Sequence, residues 1–498
     1  MTVTGAPDVS FRSADRFFIG GDWVSPSSPA QFEVIEPATE NPLFRIAEAK
    51  AEDMARAVGA ARQAFDRGPW PRLSHHERAG YLRSFAAGVR ARQDDLARVQ
   101  TGEMGVLYPV AKIVVSHGAA GFDYYADLAD NFVFEEHHRP SDGVGAGLLV
   151  REPVGVVGAI VAWNGPMPQI SYKVAPALLA GCTVVLKASP ESPGEAYVLA
   201  EIAEEIGLPP GVLNVVTADR EVSELLVRDP RVDKITFTGS TAAGRKIASI
   251  CGERVARCTL EMGGKSAAIV LDDYDIDLAA TVLSRQACSL TGQVCSSLTR
   301  VVVGRSRHDE LVEALRARFV AVQVGDPFDP ATGMGPLATR RQRDRVEGYI
   351  AKGVAEGATL ATGGRRPAHL DRGFFIEPTI FADVDNASTI AQEEIFGPVT
   401  SVIAADSEDQ AVEIANGTNY GLASAVFTND VEHAYRVARQ IRAGTVGHNA
   451  PRADFGIAFG GFKQSGIGRE GGSEGLLPFL ETKTILLAGE PTPPKGDA

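Results

Sequence analysis

The sequence predicts an α/β protein built on two mostly parallel sheets, and three observations carry that expectation. From Glu152 onward, strand-like and helix-like hydrophobic patterns alternate, as they do where helices connect parallel strands. Segments 154–162 and 183–186 are near-continuous apolar runs, which suit strands covered on both faces. A second alternating region then begins at Ser266 and extends to about Phe459.

Taken in order, segments 17–24 and 32–37 read as short strands joined into an edge hairpin. Segments 53–66 and 76–101 place apolar residues (Met54, Val58, Ala61 and Phe65; Tyr81, Phe85, Val89, Leu96 and Val99) at helical spacing, predicting a layer over a sheet. Between Asn131 and Arg151 the chain turns polar, with Pro140 and several glycines, and leaves the core. The first α/β region continues with helices over 193–206, 221–228 and 241–251 and strands over 213–216 and 234–237. The second has strands over 267–271, 300–303, 398–403 and 422–427, with helices over 307–323, 342–356, 407–416 and 431–441. A last strand covers 482–487, and the Pro-rich end after it is expected to be mobile.

A length of 498 residues allows two to four domains with large cores. A net charge of −14 argues against nucleic acid or an anionic membrane as a general partner. The five cysteines have no paired short spacings, so neither a disulfide framework nor a zinc site is expected, and no metal is invoked. Residues 1–18 lack an apolar signal core, and the longest apolar run, 154–163, is too short to span a bilayer. These features predict a soluble, cytoplasmic protein.

Chemistry concentrates in 289–297. There an apolar helical pattern closes on Gly292, and the thiol of Cys295 follows just before a strand. Such a junction can aim a side chain into a cleft, where positive potential would favour the nucleophilic thiolate. Asn164 follows a buried strand and can donate to a developing oxyanion; alone, it is equally a turn residue before Gly165-Pro166. Glu261 precedes two glycines and could take a proton from water, or be a surface charge. No Gly-x-Gly-x-x-Gly follows any strand; the nearest substitute is Gly239-Ser240 at a helix start, which alone reads as capping.

Gly292-Gln293-Val294-Cys295 and Leu260-Glu261-Met262-Gly263-Gly264-Lys265 resemble, in order and spacing, the nucleophile and glutamate motifs of the aldehyde dehydrogenase superfamily. Ala162-Trp163-Asn164-Gly165-Pro166, Phe237-Thr238-Gly239-Ser240, Glu393-Glu394-Ile395-Phe396-Gly397-Pro398 and Phe459-Gly460-Gly461-Phe462-Lys463 add to the resemblance, which spans about 152–483. It implies a Rossmann-like dinucleotide-binding domain (1–131 and 152–263), a catalytic domain (264–465) and a small β oligomerisation element (132–151 and 479–498). The implied activity is oxidation of an aldehyde to an acid, with NAD, or NADP, as hydride acceptor. Cys295 would be the nucleophile, Asn164 the oxyanion donor, Glu261 the base that activates water, and Lys173 an aid to proton transfer. Trp163, Lys187, Gly239, Ser240, Glu394 and Phe396 match cofactor contacts. Gly165, Gln169, Tyr172, Val294, Ser296 and Phe459 fall at positions that line the substrate tunnel, suggesting a roomy, mainly apolar pocket. Arg469 and Glu481 match an ion pair supporting a dimer or tetramer.

The departures also carry information. Pro190 stands where a ribose-binding glutamate is frequent, Leu290 where an asparagine is frequent, and Cys288 where an aromatic is frequent. Acyl transfer to coenzyme A and a catalytically silent protein on the same fold are the alternative readings, and the presence of Glu261 and of the other three groups, Cys295, Asn164 and Lys187, argues against them.

Overall fold

The computed structural model describes residues 11–491. The N-terminal ten residues and most of the Pro-rich end lie outside the described residues.

The larger sheet has eight strands, and its five central ones are parallel in the order Arg257–Glu261, Lys234–Thr238, Val156–Ile160, Thr183–Ala188 and Leu213–Thr217. All five residues of Val156–Ile160 and all six of Thr183–Ala188 are buried, which is why their sequences lack polar alternation. Helices on both faces cover them, as in a doubly wound sheet. Gly466–Ile467 adds antiparallel to Glu261 at one edge. The seven-stranded sheet orders Thr359–Thr362, Thr379–Ala382, Val399–Ala405, Arg300–Gly304, Ala267–Val270, Ala423–Phe427 and Thr445–His448. Its strands are parallel except for the first. A separate three-stranded sheet pairs Leu480–Leu487 with Ala146–Pro153 and that strand with Glu135–His138.

Several elements differ from expectation. The two N-terminal segments do not pair with each other. Phe17–Ile19 and Asp22–Val24 form their own hairpin, turned by Gly20 and Gly21 at φ +68° and +89°, whereas Gln31–Ile35 pairs with Pro42–Ala47. The expected helix over 76–101 is two, His75–Ala91 and Gln93–Met104, meeting at Arg92. Tyr108–Leu128, a helix of 21 residues, carries no clear amphipathic stripe because it packs against helices on more than one side. A Cβ at its Gly121 would lie 2.5 Å from Ser171 Oγ of the helix Pro166–Ala180, so glycine there permits the close crossing. Glu481 pairs with Arg257 rather than Arg469, whose guanidinium instead donates to the carbonyls of Gly461 and Gly468.

Candidate active site

The loop that leads to Cys295 is held under backbone strain. Leu290, Thr291 and Gly292 are all left-handed, at φ +47°, +55° and +70°. Only the glycine adopts that region freely; a non-glycine residue there costs about 1–2 kcal/mol. Gln293 offsets this. Fully buried, it donates from Nε2 to Leu290 O at 3.1 Å and accepts at Oε1 from Ala338 N at 3.0 Å. Thr291 Oγ1 also donates to Gly335 O at 3.1 Å. The Gly-Gln pair before Cys295 is thus a structural anchor that aims the thiol.

Asn164 reaches the same loop, donating from Nδ2 to Gln293 O at 3.0 Å. Its amide is oriented by Gln169, which donates to Asn164 Oδ1 at 2.9 Å while accepting from Ala162 N at 2.7 Å. Both ends of the Gln169 amide are occupied, so this residue holds Asn164 in place in addition to any lining role.

Glu261 ends the edge strand of the parallel sheet and is only 4% exposed. Neither of its carboxylate oxygens has a hydrogen-bond partner among the described residues. Desolvation first, and then the charge of Glu470, holds its pKa well above the ordinary carboxylate value, against the pull of Lys173 and Arg469. Lys173 is fully buried, pairs with Glu470 and donates to Thr238 Oγ1 at 2.6 Å. Glu470, which sequence reasoning missed, links Lys173 to the surroundings of Glu261. It lies 297 residues from Lys173 in a Gly-rich stretch without periodicity, so no local pattern marked it.

Cys295 departs from the expected electrostatics. Its thiol is pushed up to about 12 by desolvation, with the charges of Glu394 and Glu261 adding to the effect. The protein groups facing it are acidic, and thus the surrounding side chains do not supply the positive potential anticipated from the sequence. Cys288, the competing thiol, is likewise pushed up to about 12 by burial and packs against Val324, Met334 and Phe375.

The predicted cofactor residues are contributed by both α/β regions. Lys187 closes its strand with burial pushing its ammonium down to about 8, and no protein hydrogen bond to Nζ is present among the described residues. Ser240 caps the helix Thr241–Glu253, accepting from Ala243 N at 3.3 Å, and Gly239 precedes it at the end that favours anions. Glu394 accepts from Gly264 N at 3.2 Å through one oxygen, and burial raises its pKa to about 7. Trp163 meets Phe396 edge-on, with centroids 5.4 Å apart. A buried ammonium with no protein hydrogen bond among the described residues, a capped helix N-terminus and a buried carboxylate are groups that fit a dinucleotide with ribose hydroxyls and a pyrophosphate.

Of the residues expected to line a substrate tunnel, Tyr172 stacks on Phe455 at 3.7 Å, and Phe459 packs against the same Phe455 at 4.9 Å. Val294 and Ser296 flank Cys295 and are half-buried. A Cβ at Gly165 would meet no heavy atom within 4 Å, so the space beside Asn164 is open.

The profile of the aldehyde dehydrogenase family matches residues 23–485. The chain belongs to the aldehyde dehydrogenase family. It is 46% identical over 475 residues to geranial dehydrogenase of Castellaniella defragrans, spanning 95% of this chain and 99% of that relative. It is 42% identical to a 3-succinoylsemialdehyde-pyridine dehydrogenase of a Pseudomonas species, across 95% and 99% of the two chains. A Mycobacterium tuberculosis aldehyde dehydrogenase in complex with NAD+ superposes with a TM-score of 0.93 at 46% identity, covering 97% of this chain and 99% of the other. A Pseudomonas syringae aldehyde dehydrogenase variant in complex with NAD+ and octanal also gives 0.93, at 39% identity and the same coverage. As a member, this aldehyde dehydrogenase is an oxidoreductase acting on aldehydes.

Proposed function

We propose that this aldehyde dehydrogenase converts a hydrophobic aldehyde to its carboxylic acid through a thioester on Cys295, with NAD as hydride acceptor. The observation that carries the reading is that the Gln169-oriented Asn164 amide is hydrogen-bonded to the loop carrying Cys295, while the Glu261 carboxylate, without a hydrogen-bond partner among the described residues, is near enough to act on the charge of that thiol. Cys295 adds to the carbonyl, and the Asn164 amide together with the Cys295 backbone N–H stabilises the oxyanion; one such donor contributes about 3 kcal/mol to the transition state. When bound, the nicotinamide supplies the positive charge that favours thiolate and takes up the hydride. Glu261 accepts a proton from the water that cleaves the thioester, and Lys173 with Glu470 provides the route by which that proton leaves.

The Tyr172, Phe455 and Phe459 cluster and the open space at Gly165 favour a long or branched apolar chain. NADH absorbance across an aldehyde panel, with and without coenzyme A, tests both points. Medium-chain aldehydes should be turned over without coenzyme A; a strict requirement for it would establish the acylating alternative. Gly165→Phe should lower kcat/KM for branched or long aldehydes by about tenfold or more, as expected for an overfilled site, while short aldehydes change little.

For the coenzyme, Glu191 stands in for the carboxylate absent at Pro190. It lies close enough to Lys187 to favour its charged form. It is held by Ser189 Oγ at 2.5 Å and by Arg341 at 3.0 Å. A carboxylate there repels a 2′-phosphate and occupies the arginine that could bind one. The NAD-over-NADP ratio of kcat/KM should therefore exceed one. Glu191→Ala should lower it by about tenfold by releasing Arg341, and an unchanged ratio would remove Glu191 from the discrimination.

The chain acts in the cytoplasm as a homo-oligomer in this reading. No described helix is long and apolar enough to cross a membrane. Among the described residues, neither edge of the three-stranded sheet has a partner strand, and Leu486 is 70% and Val133 55% exposed on or beside it. Light scattering should give at least twice the chain mass of 52.7 kDa; a single-chain mass at micromolar concentration would refute the assembly. The segments 1–131 with 152–263, 264–465, and 132–151 with 479–498 act as cofactor, catalytic and assembly units.

A further inference from the structure

We propose that Glu195 is a positioning residue for the oxyanion step: from a neighbouring helix it holds the turn that aims the Asn164 amide. The inference rests on the reading of Asn164 as oxyanion donor given above. Asn164 is followed by Gly165 and then by the helix Pro166–Ala180, whose first three residues are Pro166, Met167 and Pro168. Neither proline has an N–H, so Met167 carries the one backbone donor of that stretch. Gly165, at the N-cap, has no side chain with which to satisfy it. The next N–H, that of Gln169, donates to Gly165 O at 3.4 Å, a long bond for a helix start. The helix thus begins with little hydrogen bonding of its own, directly after the oxyanion donor.

Glu195 supplies what is missing. Its Oε2 accepts from Met167 N at 2.6 Å, across 28 residues of chain. It sits in the first turn of the helix Gly194–Glu205 and is fully buried. That turn is itself anchored, because Glu103 accepts from Gly194 N at 2.8 Å and from Ser192 Oγ at 2.7 Å. The connections therefore run from Glu103 through Gly194 to Glu195, across to Met167, and on to Gln169, whose amide orients Asn164. The other oxygen of Glu195 has no hydrogen-bond partner among the described residues, which leaves the Met167 N–H as the group that the carboxyl serves. Burial, and then the charge of Glu103, hold the Glu195 pKa well above its ordinary value. Accepting from an N–H needs only an oxygen, so the contact persists in either protonation state.

Packing acts differently on the same turn. Met167 fits against Gly118 of the helix Tyr108–Leu128, where a Cβ would collide with Met167 Cγ. That contact seats the helix from its flank, whereas the bond to Glu195 restrains the backbone of its first turn. Such restraint matters for the chemistry, since a donor displaced by about 1 Å from the developing oxyanion can cost about 100-fold in rate.

The test is a double-mutant cycle of Glu195→Ala with Asn164→Ala in the full-length enzyme, read as single-turnover NADH formation with NAD and enzyme saturating over one good aldehyde. Under those conditions the rate constant belongs to the folded sites and is insensitive to a misfolded fraction. Glu195→Ala should slow the turnover by about tenfold or more while NADH affinity stays within about threefold. In the Asn164→Ala background the same substitution should change the rate by less than about twofold, because the amide to be aimed is gone. Glu195→Gln, whose amide oxygen can accept the same N–H, should stay within about threefold of wild type. If Glu195→Ala yields no folded protein, Glu195→Asp, which withdraws the carboxyl by one methylene, goes through the same cycle. A wild-type rate in Glu195→Ala, an equal loss in both backgrounds, or equal losses in the Gln and Ala variants would overturn the inference. A wild-type rate in Asn164→Ala alone would instead refute the oxyanion assignment, and the inference would fall with it.

Discussion

Cys295→Ser is expected to lower turnover by roughly 10⁴-fold or more, leaving no NADH formation above background. The hydroxyl that replaces the thiol has a far higher pKa, and no side chain at the site compensates. Desolvation, Glu394 and Glu261 already oppose ionisation at this position, where they hold the thiol near 12. A serine would face the same environment without the intrinsic nucleophilicity of sulfur. The loop itself should persist, because its geometry depends on Thr291 and Gln293 rather than on the thiol. Cofactor affinity, read by fluorescence titration with NADH, should therefore stay within about threefold of wild type. Near-normal activity in the variant would remove Cys295 from the mechanism.

What could be read from the sequence follows the range of the interactions involved. The central strands were legible because burial on both faces writes itself as continuous apolar runs, as in Thr183–Ala188. The helix starts near Arg220, Thr241 and Ile276 carry side-chain caps from Asp219, Ser240 and Asp275, which are local signals. Strand partners were less legible. Nothing in 32–37 says that its partner is Pro42–Ala47, and Tyr108–Leu128 lost its stripe to contacts on several sides. The site residues were recognisable as motifs, but their electrostatics were not. The acidic surroundings of Cys295 and the link from Lys173 to Glu470 arise from residues far apart in the chain, brought together by the Gly-rich segment that ends beside Glu261.

Glu261→Gln should divide the reaction in time. The amide has nearly the same shape and cannot accept the proton of the attacking water. Acylation and hydride transfer should therefore proceed while thioester hydrolysis slows by about 100-fold or more. In a rapid-mixing experiment the expected trace is one burst of NADH per active site followed by a slow phase. The pH dependence gives an independent check. Burial and Glu470 raise the Glu261 pKa well above its ordinary value, so the carboxyl keeps its proton, and is inactive as a base, to higher pH than an ordinary carboxyl. Raising the pH through that value removes the proton, and the slow phase of the wild-type enzyme should accelerate with it. In Glu261→Gln that limb should disappear while the burst remains. Glu470→Gln removes the charge that helps keep Glu261 protonated, which should move the limb to lower pH, although the loss of its pairing with Lys173 would also slow the exit of the proton. A Glu261→Gln enzyme without a burst, or one with an unchanged pH limb, would show that this carboxylate is not the base of the hydrolytic step.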